Sequence, residues 1–111
     1  MKAEEFDGIL QNRVLDLQEV LSIKGIQYAD ETDRLKNFKD AARFQGCEPE
    51  QALLGFVSKH VIALKDFIAQ VEDNQVPYHQ WDEKIGDIIA YLVLLDALLK
   101  ERGVKPPDVP C

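Results

Sequence analysis

The sequence predicts an all-α protein built as a four-helix bundle. Three observations predict it. Apolar residues recur every three or four positions in three long stretches and one shorter one, no stretch alternates with the period of two that a half-buried strand needs, and Gly or Pro falls between the periodic stretches. One domain over residues 1–103 is expected, followed by an extended proline-rich tail at 104–111.

The first helix is expected from Glu4 to Lys24, where Phe6, Leu10, Val14, Leu17 and Leu21 form a stripe that Ile9, Val20 and Ile23 broaden, and Gly25 ends it. "IQYADETDR" reads as a connector in which Thr32 or Asp30 caps the next helix. That helix, about Asp33 to Phe44, turns Leu35, Phe38, Ala41 or Ala42 and Phe44 toward a core and stops at Gly46. Pro49 suits a first helical position, where its missing N–H costs nothing, and Glu50 favours the positive end of the helix dipole. The third helix should then reach about Glu72, with Leu53, Val57, Val61, Leu64, Ile68 and Val71 as its seam. "EDNQVPYHQ" is the longest connector, and the fourth helix runs from about Gln80 to Arg102 with Gly103 ending it.

The fourth helix is apolar on two sides. Glu83, Asp87, Tyr91, Leu94 and Leu98 share one face, while Ile85, Ile88, Ile89, Leu92, Leu95 and Leu99 make the other. Such a helix must be covered on both sides, either centrally in the bundle or against another subunit. Asp87 is then half-buried and needs a cation, because an unpaired buried carboxylate costs several kcal/mol by order of magnitude. Lys59 and His60 both project beside apolar neighbours on the third helix. Two readings follow: a structural ion pair fixing the register of two helices, or a site in which Glu83 and Asp87 hold a divalent metal while Lys59 or His60 meets phosphate or water. Arg34, Lys36 and Asn37 could hold a base, sugar or phosphate, or be solvated surface around Leu35 and Phe38. Trp81 is either a base-stacking platform or a plug at the end of the bundle.

Composition narrows the function classes. Thirteen Lys and Arg against twenty Asp and Glu give a net charge of −7, which argues against a nucleic-acid groove binder, since that work requires a basic footprint. The longest apolar run, Ile88 to Leu95, is too short to span a bilayer, and "MKAEEFDGIL" has no long apolar core of a secretory signal, so a cytoplasmic protein is expected. Cys47 and Cys111 have no Cys or His at metal-ligand spacing around them, and neither a disulfide nor a zinc site is expected.

The stretches "ADETDRLKNFKDAARFQG", "SKHVIALKDF" and "EKIGDIIAYLVLLDALL" resemble small phage-encoded proteins similar to the MazG-like, all-α nucleotide pyrophosphohydrolase superfamily, over about Tyr28 to Glu101. The resemblance implies a helical bundle that dimerises or assembles further and cleaves a nucleoside triphosphate to monophosphate and pyrophosphate with Mg²⁺ or Mn²⁺. The superfamily holds the metal with an E-x-x-E and an E-x-x-D motif on successive helices. Here Lys84 stands three before Asp87, and the third helix reads "SKHVIALKD", so Asp87 alone carries over as a ligand. His60, Glu83 and Asp87 could form a different metal site with one nitrogen and two oxygen donors. As an enzyme, the chain would use Glu83 and Asp87 for the metal, Lys59 and His60 at the phosphates, and Arg34, Lys36, Asn37 and Tyr91 for the nucleotide. The alternative is a non-catalytic module of the same fold that binds a nucleotide or a protein, in which an acidic surface suits a basic partner.

Overall fold

The computed structural model describes residues 1–24 and 33–104. It contains four α-helices among those residues: α1 (Ala3–Gln18), α2 (Lys36–Gln45), α3 (Pro49–Ala69) and α4 (Tyr78–Arg102). No strand occurs among the described residues. The first helix continues without a break as a π-helical segment, Glu19–Lys24, and a short 3₁₀ turn, Val71–Asp73, follows α3.

The helix ends follow local chemistry. Gly46 and Gly103 both adopt left-handed backbone, at φ 70° and 87°, and so close α2 and α4 at low steric cost. Pro49 opens α3, where the Glu48 N–H donates to the Gln51 side-chain oxygen at 2.9 Å. The expected caps of α2, Thr32 and Asp30, lie outside the described residues. The residue at that end is Leu35, and no side chain caps α2; Asp33 closes the turn before it, its carboxylate accepting the Leu35 N–H at 3.0 Å and pairing with Lys39 Nζ at 2.7 Å. α2 consequently starts at Lys36, three residues later than the periodicity suggests.

α3 and α4 form an antiparallel hairpin. Phe67 meets Trp81 edge to face at 5.5 Å near the connector, His60 meets Asp87 midway, and Arg102 reaches Glu50 at the open end. That last contact is bidentate, with Arg102 Nε and Nη2 at 2.8 and 2.7 Å from the two Glu50 oxygens and Nη2 also 2.8 Å from Glu48. Trp81 therefore plugs the connector end of the hairpin.

α2 lies across the hairpin, and Leu35, Phe38, Leu53, Val57 and Leu98 make the buried cluster between them. α1 runs parallel to α4, since Arg13 pairs with Asp82 at 2.8 Å while Val20 and Leu21 share a cavity with Ala90 and Leu94.

The structure corrects the core expected from periodicity. α1 buries none of its residues: Phe6, Ile9, Leu10 and Val14 remain 59, 51, 53 and 45% exposed. In the α3 seam only Leu53 and Val57 are buried, and Val61, Ile68 and Val71 are exposed. Phe44 is 93% exposed, because it stands two residues, about 200° of helical rotation, beyond the buried Ala42 and so faces away from the hairpin. Periodicity identifies an apolar face but does not say whether this chain covers it.

Candidate functional site

Two adjoining cavities open beside α4, and Asp87 and Val20 line both. The first, about 390 Å³, is a volume suited to a small-molecule ligand and is lined by Val20, Leu21, Arg34, Asn37, Phe38, His60, Asp87, Ala90, Tyr91 and Leu94. Its wall is aromatic. The Phe38 ring stands edge-on to Tyr91 at 6.3 Å and to Phe56 at 5.9 Å, and the His60 ring lies tilted against Tyr91 at 5.4 Å.

The polar groups of this cavity come from three elements. Arg34, just before α2, donates through Nη2 to the Leu21 carbonyl in the π-helical segment, while its Nε is buried without a partner. His60 on α3 turns its buried Nδ1 toward Asp87 Oδ2 at 3.5 Å, a spacing too long for a well-formed hydrogen bond, so this nitrogen is unsatisfied as well. Unpaired buried donors and acceptors cost free energy, and such groups in a cavity are the ones that a ligand can satisfy.

Burial pushes the Asp87 carboxyl above its usual range. The nearby imidazole and Lys84 pull the other way and Glu83 reinforces the rise, but desolvation dominates. The attraction of the His60 imidazole is thus too weak to cancel the effect of burial on Asp87. Tyr91 is likewise pushed up, first by burial and then by the Asp87 charge.

The second cavity, about 320 Å³, is acidic. Asp16, Glu19, Asp82, Glu83 and Asp87 line it, with Arg13 as the cation among its lining residues. Arg13 is bound to one wall through Asp82, by both its carboxylate and its backbone carbonyl. A Cβ at Gly86 would come to 3.3 Å from Arg13 Nη1, a tight contact that a shift of a few tenths of an ångström at the arginine end relieves.

Of the residues expected to form a site, Arg34, Asn37, His60, Asp87 and Tyr91 meet in the aromatic cavity and Glu83 lines its acidic neighbour. Lys59 is exposed and lines neither cavity, although it adjoins His60 in sequence. One residue is about 100° of helical rotation, which is enough to turn Lys59 away from α4. Lys36 pairs with Asp40 on the exposed side of α2. Sequence reasoning missed Asp16 and Glu19. Their signal lies in "LDLQEV", two acids three apart at the junction of α1 and its π-helical continuation, but the apolar stripe dominates the pattern there.

Among the described residues no group of three or more His, Cys, Asp or Glu side chains is gathered closely enough to hold a metal ion, so Glu83, Asp87 and His60 do not form a ready-made cage. Nor is any described helix long and apolar enough to cross a membrane. No known protein family, curated protein or solved structure matches the chain.

Proposed function

We propose that this chain binds the magnesium complex of a nucleoside polyphosphate and cleaves it as a pyrophosphohydrolase of the MazG-like kind. The observation that carries this reading is the position of Asp87 at the junction of an aromatic cavity and an acidic one. A nucleobase fits against Phe38, Tyr91 and His60, and the unsatisfied Arg34 Nε and His60 Nδ1 supply hydrogen bonds to its polar edge or sugar. Bare phosphates would be repelled by the acidic cavity. Phosphates that bring their own Mg²⁺ would not be, because this ion characteristically takes one or two carboxylates together with substrate phosphates rather than an all-protein cage. The metal is thus part of the substrate here. Asp87, with its raised pKa and its imidazole neighbour, is the group placed to accept a proton from water.

A second reading, binding without turnover, is favoured by the absence of a gathered ligand set among the described residues. One experiment separates the two. Thermal shifts with a panel of nucleoside triphosphates, with and without Mg²⁺, report binding, and pyrophosphate release reports cleavage. The enzyme reading expects both signals, with Tyr91→Ala removing the thermal shift. A magnesium-dependent shift without pyrophosphate release supports the binding module. No shift with any nucleotide rejects both.

A further inference from the structure

The stripe of α1 that meets α4 continues past the end of α4. Phe6, Leu10, Arg13 and Leu17 fall at helical spacing on one side of α1, and Arg13 and Leu17 are the members turned to α4. Ala3 lies ten residues, about 15 Å, before Arg13, whereas α4 starts at Tyr78, four residues or about 6 Å before Asp82. Since the two helices are parallel, about the first 9 Å of α1 runs beyond the start of α4. Phe6 lies on that overhang and Ile9 and Leu10 at its edge, and the three are 59, 51 and 53% exposed. Tyr78, at the near end of α4, is 72% exposed.

Charge divides the molecule along the same line. Ion pairs gather toward the open end of the hairpin, where Lys39 meets Asp33 and Glu101, and Arg102 meets Glu48 and Glu50. At the connector end the last pair is Arg13 with Asp82. Beyond it stand Glu4, Glu5, Asp7, Glu72 and Asp73, all exposed and, among the described residues, in no salt bridge. Residues 1–12 and 67–81 set one lysine against them, Lys2, and no arginine.

We propose that this overhang docks a basic amphipathic helix of another protein. A helix laid there continues the line of α4 along α1, and its apolar side covers Phe6, Ile9 and Leu10, which stand at i, i+3 and i+4. Its Lys or Arg flanks then face Glu4, Glu5 and Asp7 on α1 and Glu72 and Asp73 beside the connector. Phe6 is the anchor, because a large aromatic ring gains most from being covered. Charge selects this occupant over others. A second copy would bring the same five carboxylates to the contact, and like charges set face to face are costly. A nucleic acid or an anionic membrane surface meets the same repulsion. The surface is independent of the nucleotide reading, since no residue of α1 before Arg13 lines either cavity.

The test is fluorescence anisotropy of a labelled synthetic helix about five turns long, leucine on one face and lysine on the others, titrated with the whole chain. The wild type is expected to bind it with a dissociation constant in the micromolar range, as suits a small contact. Phe6→Ala with Leu10→Ala is expected to weaken binding about tenfold or more. The helical circular dichroism should stay unchanged, because α1 buries none of its residues and alanine favours the helix. Glu4→Gln and Glu5→Gln with Asp7→Asn keep the apolar stripe and are expected to weaken binding and flatten its salt dependence. Val61→Ser with Leu92→Ser, at exposed positions on the hairpin, is expected to leave binding as it is. No binding to the wild type overturns the proposal. So does equal binding of a peptide with the same residues shuffled out of helical register, or a loss only through Val61 and Leu92. Sedimentation equilibrium adds one more such outcome: a wild-type dimer that the Phe6 and Leu10 substitutions dissolve makes a second copy the occupant.

Discussion

Asp87 lies between an imidazole and a second carboxylate, and burial outweighs the attraction of the first. The folded state therefore holds its proton more tightly than the unfolded chain does. The stability that follows is fully present below the unfolded pKa near 3.8 and is lost as pH rises through the raised folded value. Asp87→Asn is accordingly expected to raise Tm at neutral pH, and the gain over wild type should vanish in acid, which a pH series of thermal melts will read. Leu53, at 2% exposure, makes the opposite case. Leu53→Ala leaves a hole between α2 and the hairpin and is expected to cost about 2–5 kcal/mol in a urea titration. At this scale the sequence was legible wherever helical spacing decided the neighbour: Asp87 and Tyr91 are one turn apart and do share a cavity. It was not legible for Lys59, where adjacency in sequence suggested a shared environment that the helix does not provide.

Between helices, the clasp of Arg102 on Glu48 and Glu50 joins the first turn of α3 to the last turn of α4. The Arg102 hydrogen bond holds the Glu50 carboxyl below the usual carboxylate range, and the guanidinium is itself stabilised in its charged form. A depressed carboxylate stabilises the fold above its unfolded pKa and loses that contribution as pH falls through the folded value. Arg102→Gln is expected to lower Tm at neutral pH by a small, salt-sensitive amount that disappears in acid, because the pair is solvated. Gly86 offers a gain. It lies inside α4, where glycine costs about 0.5–1 kcal/mol against alanine, and the atom that its Cβ would meet is the end of a flexible arginine. Gly86→Ala is expected to raise Tm. Helix ends were the most legible feature of the elements, since Gly46, Pro49 and Gly103 each act through a backbone geometry that the residue type dictates. The start of α2 was not, because the helix opens after Leu35, which offers no capping side chain, and Asp33 bonds the Leu35 N–H ahead of it.

For the molecule as a whole, the sequence gives away its apolar faces more readily than their partners. The all-α class follows from the spacing. Which face of α3 or α4 its own chain covers depends on where α2 lands, and nothing in the periodicity of either helix encodes that.

The antiparallel hairpin also orders the molecule in time. Its two long helices follow one another directly in the chain, pack edge to face at the connector through Phe67 and Trp81 and are clasped at the far end by Arg102, so its contacts can form early and open late. α1 has no buried residue to anchor it and meets the rest chiefly along α4. Amide hydrogens should therefore exchange soonest in α1 and last around Leu53, Val57 and Leu98. The floor of the aromatic cavity would then persist through openings that repeatedly lift away the wall made by Val20 and Leu21, and a ligand could enter by that route without the hairpin ever coming apart.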